Sequence, residues 1–458
     1  MPFDPIGRAR RWNERWRPIV PIFVAEFVAV MGFGALLPVL PLYVTEQGVD
    51  PATLGVILAA WPAARLVFEP IFGWLADRTS RRGLMLGGLV VLTLGTLLPL
   101  AFHGPFELFV LRFVSGIGVS MYDPAARGTI VEETEEDERG EAFGLYSAAQ
   151  MGGFIFGPVI GAVGAAVVGS FAFAFVAAGV GCIAAFVYLA VAYHPRPRPG
   201  ALVGAPTQRT PQVEGSYAEY GADSPEVAQR IIEAGQRDAA RSRGATGQAP
   251  MRELWNRPFV AALIMNFGLY FAIGVYEVVW ALYLQGLGGS VEWIGLTYVL
   301  FALPVVFLAP LGGRLVDRHG ATRFVLVPGL LVAACGVLYA VASEPLLPGA
   351  IIVVEGGAEA FLGPALYAVL AIGTPPGRAS TAQGIYGSAG TVAFIVSSLA
   401  AGWLFAIDDR YPFIFFAFVV VAATAAFWLI TRGVRLTAGP AASSSPVAGP
   451  AGGLEAGG

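Results

Sequence analysis

Twelve apolar stretches dominate the sequence, and each is long enough to cross a lipid bilayer. A membrane-spanning helix needs about 20 predominantly apolar residues, and six such stretches lie on each side of a polar middle segment. Only 13% of the residues are charged, whereas soluble domains carry about 25%. The predicted spans are 18–43, 54–75, 83–102, 106–126, 141–167, 171–192, 258–284, 291–316, 324–342, 348–372, 382–405 and 413–430. We therefore predict an all-α membrane protein made of two six-helix bundles.

The polar segments complete the domain organisation. The segment between the bundles is rich in Pro, Arg, Ala and Gly, which is typical of a flexible linker. Within it, Ser224-Pro225-Glu226 predicts a short helix over 225–241, for which a plain solvated helix is the simplest interpretation. The predicted divisions are a cytoplasmic N-terminus (1–17), the first bundle (18–192), a cytoplasmic linker (193–257), the second bundle (258–430) and a disordered tail (431–458).

The distribution of arginine predicts the orientation in the membrane. The chain contains no lysine, and 25 of its 28 arginines lie in the termini, the linker and the loops on one side. The opposite loops carry only Arg410, while Arg65 and Arg112 lie within spans. Since loops rich in basic residues stay on the cytoplasmic side, we expect both termini in the cytoplasm of a cell-membrane protein.

A short charged turn occurs twice in the chain. The first copy is Gly73-Trp-Leu-Ala-Asp77-Arg-Thr-Ser-Arg-Arg82, and the second is Gly313-Arg-Leu-Val-Asp-Arg-His-Gly320. Asp317 follows Asp77 by 317 − 77 = 240 residues, and the same offset relates Leu42-Tyr43 to Leu282-Tyr283. The sequence therefore indicates a duplicated six-helix unit.

The first turn, with its Gly, Asp and paired Arg residues, is similar to the signature between helices 2 and 3 of the major facilitator superfamily. The resemblance covers roughly residues 18–430, and Ser80 stands where the family usually has Gly. It implies the major facilitator fold and a cytoplasmic gate that latches the two bundles in one of two states. The implied gate residues are Gly73, Asp77, Arg78, Arg81, Arg82, Asp123, Arg127, Asp317 and Arg318.

Two further motifs resemble a narrower group, the twelve-helix drug:proton antiporters. Leu108-x-x-x-Arg112-x-x-x-Gly116-x-Gly118 is similar to the helix-4 motif, whose arginine the family links to proton coupling. The fifth span carries the antiporter-type motif with Gly153, Gly157, Pro158 and Gly161. These glycines recur every four residues and form a smooth face, so plain helix packing without a direct role in transport is the alternative.

Charged residues inside the spans are the candidate coupling sites, because a charge in the bilayer is costly. Arg65 and Glu69 are spaced to neutralise each other within one helix. Arg112 has no such neighbour and should face a carboxylate on another helix. Glu26 corresponds in the repeat to Asn266 (26 + 240 = 266), which suggests a central site at the repeat interface.

Three more acids complete the predicted site. Glu277 shares a helix face with Asn266 and Tyr270, and Glu355 and Glu359 share a face of the tenth span. Burial favours the neutral form of a carboxyl group, so such an acid can exchange protons near neutral pH. For each acid, a capped or snorkelling structural residue is the alternative. Tyr270, Tyr276 and Trp280 offer aromatic surface to a lipophilic substrate, or pack as ordinary core.

We therefore predict a proton-coupled secondary transporter that exports small lipophilic or cationic compounds by alternating access. A sugar or metabolite carrier is the alternative, and a non-transporting membrane receptor is an alternative from another class. A phosphate-binding loop needs a lysine that this chain lacks, and its three histidines lie near membrane edges. We expect no enzyme activity, cofactor, metal or nucleic-acid partner, and a monomer whose partners are its substrate, protons and the lipid bilayer.

Overall fold

The computed structural model describes residues 16–134, 139–194, 249–375, 378–434 and 436. The predicted helix over 225–241 lies outside the described residues, as do most of the predicted N-terminus, linker and tail. Within the described part there is no β-strand, and eleven helices are long and apolar enough to span a membrane. A bent pair of helices at the start of the chain makes a twelfth span if it is counted as one.

The helices agree with the predicted spans to within three residues at most ends. The bent pair α1 comprises Val20–Leu36 and Leu40–Glu46. The other helices are α2 (Pro51–Ala76), α3 (Arg81–Leu97), α4 (Pro105–Glu133), α5 (Arg139–Val168), α6 (Ala172–Ala192), α7 (Arg257–Gly286), α8 (Val291–His319), α9 (Thr322–Ala340), α10 (Leu346–Ile372), α11 (Ala379–Ile407) and α12 (Tyr411–Thr431).

Polar caps set where several helices begin. The side chain of Asp50 accepts hydrogen bonds from the backbone N–H groups of Ala52 and Thr53 at the start of α2. Ser80 caps α3 and Ser290 caps α8 in the same way. Such caps satisfy N–H groups that have no partner inside the helix. Hydrogen bonds from Thr53 also hold the pKa of the Asp50 carboxyl below its usual value.

Pro38 and Pro41 explain the bend in α1. Its two parts meet at 43°, around residues 37–39 and just before Pro41. Proline has no backbone N–H, so the carbonyl of Leu37 cannot pair with residue 41 as it would in a regular helix. That carbonyl instead accepts a hydrogen bond from the Tyr298 hydroxyl on α8, at 3.4 Å.

The twelve spans form two bundles that meet mainly along four helices. In the first bundle, α1 packs on α5 and α6, while α4 packs on α2 and α3. In the second bundle, α7 packs on α11 and α12, while α10 packs on α8 and α9. Between the bundles, α2 packs on α11 and α5 packs on α8. We call the end where α6 ends and α7 begins the linker side, and the opposite end the far side.

The bundles are tightly sealed on the far side. A methyl group added at Gly55 of α2 would overlap the backbone carbonyl of Ser398 and lie 3.2 Å from the Cα atom of Gly402, both on α11. A methyl group at Gly295 of α8 would lie 2.9 Å from the carbonyl oxygen of Pro158 on α5. Backbones approach this closely only where side chains are minimal.

On the linker side, the glycines of the same four helices show no such close approach. Glycines occur there in each of them, at Gly73, Gly144, Gly313 and Gly384. In the described part of the chain, a methyl group added at Gly144, Gly313 or Gly384 would meet no atom within 4 Å. At Gly73 it would meet only Pro124 of its own bundle, at 3.8 Å. The close backbone contacts between the bundles therefore lie at the far side, and these four glycines make none at the linker side.

The glycine stripe of α5 faces α1 within the first bundle. A methyl group at Gly153 would lie 2.8 Å from the backbone nitrogen of Met31, and one at Gly157 would lie 2.8 Å from the Cα atom of Gly34. One at Gly161 would overlap the carbonyl of Ala35. The adjacent Pro158 takes part in the packing of α5 on α1 and also in that of α5 on α8. Its ring approaches α1, while its carbonyl faces α8.

We expect Gly157→Leu to destabilise the first bundle by about 1–3 kcal/mol, the usual cost of overpacking. Thermal unfolding in detergent measures this as a lower Tm. Gly144→Leu is the matched control, since it adds the same side chain to the same helix where nothing lies within 4 Å. Equal melting of the two variants would contradict the close packing of α5 on α1.

Candidate functional site

Glu355 lies at the centre of a buried cluster of hydroxyl groups in the second bundle. The hydroxyls of Tyr276 on α7 and Tyr339 on α9 each donate a hydrogen bond of 2.6 Å to its carboxyl group, one to each oxygen. Its exposed fraction is 1%. Within the described residues it has no basic partner, so Glu355 is a sealed acid held by neutral donors.

Trp280 and Tyr276 are part of this packing. The ring of Trp280 lies 5.1 Å from that of Tyr339, and the ring of Tyr276 lies 5.5 Å from that of Phe416. Trp280 is almost fully buried and donates from Nε1 to Thr297 at 2.9 Å. Of the two interpretations of these aromatic residues, core packing describes Trp280, while Tyr276 positions Glu355.

Glu359, one turn along α10 from Glu355, has different surroundings. Its side chain is partly exposed, and it makes no hydrogen bond or ion pair to any residue that the structure describes. Asn266 of α7 lies nearby in the same bundle, fully buried, with its Nδ2 donating to the backbone carbonyl of Tyr386 at 2.9 Å. The predicted set Asn266, Glu355 and Glu359 therefore belongs to one region of the second bundle.

A buried ion pair joins the two bundles. Nη2 of Arg112 on α4 donates to Oε1 of Glu277 on α7 at 2.8 Å, and both side chains are more than nine-tenths buried. This confirms the expectation that Arg112 faces a carboxylate on another helix. Removing one partner of such a pair is costly, because a buried charge is left uncompensated. The pair lies in the far half of the molecule, where the bundles are sealed.

Arg112 retains hydrogen-bonding capacity beyond this pair. Its Nε is buried and has no partner among the described residues. A cavity of about 20 Å³ beside it is lined by Phe33, Trp61 and Ser115, among others. That space is large enough for one water molecule, which would accept a hydrogen bond from the remaining N–H.

Glu26 lies inside the first bundle and not at the interface. Its exposed fraction is 2%, and it accepts a hydrogen bond of 2.6 Å from Nε2 of Gln150 on α5. The hydroxyls of Tyr122 and Tyr146 are buried beside it. Its repeat counterpart Asn266 instead contacts α11. The two residues therefore occupy equivalent positions in the repeat but do not share an interface.

The pair Arg65–Glu69 exists and belongs to a larger cluster. Nη2 of Arg65 lies 3.0 Å from Glu69 and 3.1 Å from Asp123, and Arg127 lies 3.7 Å from Asp123. The guanidinium of Arg65 also stacks over the ring of Trp61, 4.9 Å from its centre. With two basic and two acidic side chains, the cluster carries no net formal charge.

One sequence-based expectation about this cluster needs correction. The predicted fourth span ends at residue 126, which puts Asp123 and Arg127 at its end, among the residues of the implied gate. In the structure α4 continues to Glu133, so both residues lie inside the helix. Asp123 pairs with Arg65 and Arg127 there, and Asp77 pairs with Arg81 at 3.3 Å.

The charged turn is anchored within its own bundle. Nη1 of Arg81 donates to the carbonyl of Gly128 at 2.7 Å and to Glu132 at 2.6 Å. Arg82 donates to the carbonyl of Ala190, at the end of α6, at 2.5 Å. Arg78 stacks over Trp74 of its own helix. In the second copy, Asp317 and Arg318 are exposed at the last turn of α8.

Sequence reasoning missed several residues of the site. Tyr339 and Gln150 each supply a hydrogen bond to a buried carboxyl group, and Tyr367 and Tyr386 stand close together near Glu359. The sequence signal available for these residues was a polar side chain inside an apolar span, because a polar group in the membrane needs a hydrogen-bond partner within the protein. Their pairing depends on contacts between helices far apart in sequence, which spacing alone does not reveal.

Comparison with known families agrees with this architecture. The family model described as Major Facilitator Superfamily matches residues 22–290 and 262–452. The two matches together include nearly all the described helices of both bundles. The two matches overlap at residues 262–290.

Two relatives are similar in sequence. Quinolone resistance protein NorA of Staphylococcus aureus (strain MRSA252) is 29% identical over 145 residues, which is 32% of this chain and 37% of NorA. The matched region therefore spans little more than a third of NorA's length. Multidrug resistance protein 2 of Bacillus subtilis (strain 168) is 24% identical over 417 residues, covering 89% of this chain and 94% of that protein.

Solved structures share the fold at low sequence identity. A bacterial homolog of the human lysosomal transporter Spinster, in an inward-facing and occupied conformation, has a TM-score of 0.69 and 14% identity, covering 94% of this chain and 98% of its own. The nucleoside transporter NupG has a TM-score of 0.68 and 12% identity, covering 90% of this chain and 98% of its own. At these identities the likeness concerns the fold alone.

Proposed function

This chain belongs to the Major Facilitator Superfamily, and on that premise we propose that it exports small lipophilic or cationic compounds in exchange for protons. It is an integral membrane protein of a transporter family, with relatives named for quinolone and multidrug resistance. Those names support an exporter. The proposal adds the direction of transport, the coupling to protons and the substrate class.

One observation carries the proposal: a sealed acid and an inter-bundle ion pair meet at adjacent residues of α7. Tyr276 donates to Glu355, and the next residue, Glu277, binds Arg112 of the other bundle. A change of protonation at Glu355 alters what Tyr276 bonds to, and α7 carries that change to the contact between the bundles. An acid next to a contact that can open and close is what coupled exchange requires.

The proposed cycle starts from the conformation described above. Substrate enters between the bundles from the open linker side while Arg112 and Glu277 hold the far side shut. Protonation of Glu355 changes its hydrogen bond with Tyr276, and the resulting shift of α7 separates the adjacent Glu277 from Arg112, which favours opening at the far side. A membrane potential supplies about 2.3 kcal/mol per charge per 100 mV, so one or two protons suffice for accumulation.

The proposed orientation follows from the arginine distribution. We place the protein in the cell membrane, with the linker side and both termini in the cytoplasm. The open side then faces the cytoplasm, from which an exporter collects its substrate. The residues proposed for coupling and substrate are Glu26, Arg112, Asn266, Glu277, Glu355 and Glu359.

Inverted membrane vesicles containing the protein and a pH-sensitive dye test the proposal. In vesicles acidified by respiration, we expect a lipophilic cation such as ethidium to release protons, with at least a tenfold smaller signal in Glu355→Gln and Arg112→Ala. Glu292→Gln is the matched control, because this glutamate is exposed at the start of α8. Equal signals from the wild type and the two site variants would contradict the proposal, and a response to sugars alone would favour a metabolite carrier.

A further inference from the structure

Two acids on one face of α10 differ in what surrounds them. Glu355 and Glu359 are four residues apart, so their side chains lie on the same side of the helix. Glu355 is sealed and receives two tyrosine hydroxyls. Glu359 is partly exposed and has no hydrogen-bonding or ionic partner in the described part of the chain. The protein itself supplies hydrogen-bond partners to the carboxyl group of Glu355, whereas the carboxyl group of Glu359 is left for another group to bind.

Three tyrosines lie in the neighbourhood of Glu359. Tyr270 of α7 and Tyr386 of α11 both lie within electrostatic range of Glu359. Tyr367 lies two turns along α10 from Glu359, and its ring centre is 5.8 Å from that of Tyr386. Between Glu359 and Tyr367, a methyl group added at Gly363 would meet no described atom within 4 Å. An acid, three aromatic rings and free space therefore occur together.

A buried amide contributes an unused acceptor. Asn266 is fully buried, and its Nδ2 is occupied by the carbonyl of Tyr386. Its Oδ1 has no hydrogen-bond partner among the described residues. A buried polar group that is left unpaired destabilises the protein. Close contact with Gly390 holds both Asn266 and Tyr270 against α11, since a methyl group there would lie about 3 Å from each.

The charges nearby favour a cation. Arg65 and Arg127 of the other bundle lie within electrostatic range of Tyr270, but Asp123 and Glu69 neutralise them. Glu359 itself has another acid, Glu355, as its charged neighbour on α10. A carboxylate within the membrane is costly without a partner. An organic cation supplies the missing charge, and each tyrosine face attracts it through a cation–π interaction.

We propose that this region is a binding site for a monovalent organic cation, such as a substituted ammonium ion, separate from the acid that carries the proton. Glu359 provides the charge, the tyrosines provide aromatic walls and Asn266 accepts a hydrogen bond where the cation has an N–H. The inference rests on the proposed function and deepens it, because it assigns substrate and proton to different carboxyl groups. The site residues are Asn266, Tyr270, Glu359, Tyr367 and Tyr386.

Equilibrium binding of ethidium, a fluorescent monovalent cation, to the purified full chain in lipid nanodiscs tests the site without any proton gradient. We expect Glu359→Gln to weaken binding at least tenfold and Glu355→Gln to change it less than twofold. Tyr386→Leu should weaken binding several-fold, whereas Tyr386→Phe, which keeps the ring, should not. Glu359→Asp keeps the charge and should restore most of the affinity, which separates a binding defect from misfolding.

The outcomes distinguish this site from the exchange mechanism. Wild-type affinity in Glu359→Gln, an equal loss in Glu355→Gln, or no ethidium binding to the wild type would overturn the site. If Glu359 governs binding but ethidium releases no protons in energised vesicles, the site stands and proton exchange fails. If ethidium releases protons equally well in Glu359→Gln, exchange stands and the site fails.

Discussion

Replacing Arg112 with alanine will open the far side of the transporter. The variant leaves Glu277 buried without its partner, and breaking such a pair costs about 3–5 kcal/mol. That cost falls on the far-closed conformation, in which the two side chains meet at 2.8 Å. Since 1.4 kcal/mol is a tenfold change in an equilibrium, we expect the far-open population to rise about 100-fold or more.

Labelling of a single cysteine measures this opening. Ser398 is fully buried beside Gly55 at the far-side seal, so Ser398→Cys reports access in a background where Cys182 and Cys335 are alanine. A maleimide applied from the far side should react much faster in Arg112→Ala than in the parent. Arg410→Ala is the control, because this arginine is exposed on the same side.

A double substitution checks the cause. Glu277→Gln should also speed labelling, and Arg112→Ala combined with Glu277→Gln should add little to either single change, since both remove the same contact. If labelling in Arg112→Ala matches that of the parent, the ion pair does not hold the bundles together. If the two single effects simply add, Arg112 and Glu277 act through different contacts.

The second large effect is expected at Gly55. Replacing it with leucine puts a side chain where the carbonyl of Ser398 and the backbone of Gly402 already lie. Because two helix backbones meet there, neither can yield by a simple rotamer change, and overpacking of about 1–3 kcal/mol is a lower bound. We expect the far-closed conformation to be depleted at least tenfold and transport to fall with it.

Spin labels at Gln47 and Glu292, both exposed at the far side on different bundles, follow this change. The distance between them should lengthen in Gly55→Leu. Gly357→Leu is the matched control, because it adds leucine inside α10 where no described atom lies within 4 Å. An unchanged distance in Gly55→Leu would show that the contact between α2 and α11 does not close the far side.

The sequence was sufficient for the helices and for some contacts within them. Apolar length located the spans, and spacing alone predicted the pair Arg65–Glu69, which the structure confirms. The cost of a lone charge in lipid predicted that Arg112 needs a carboxylate from another helix. It could not show that Glu277, 165 residues away, was that carboxylate, because several acids satisfied the same requirement.

Other parts of the site depend on how the helices are placed in space. The two tyrosines on Glu355 come from α7 and α9, and no periodicity within one helix relates them. Glu26 illustrates the converse, since its match to Asn266 in the repeat predicted a shared interface. Instead, Gln150 donates a hydrogen bond to Glu26 inside the first bundle. A repeat predicts that two corresponding residues lie at the same depth in the membrane. It does not predict which side chains they contact, because the partners differ between the two bundles.

The proline break in α1 has one more consequence. Because residue 41 has no N–H to offer, the carbonyl of Leu37 is left free for Tyr298 of the opposite half. A hydrogen bond between neutral groups contributes only about 0.5–1.5 kcal/mol net, and water can replace it once the halves part. The break in α1 thus creates a reversible hydrogen bond between the bundles. It is strong enough to favour the far-closed conformation and weak enough to break in every transport cycle.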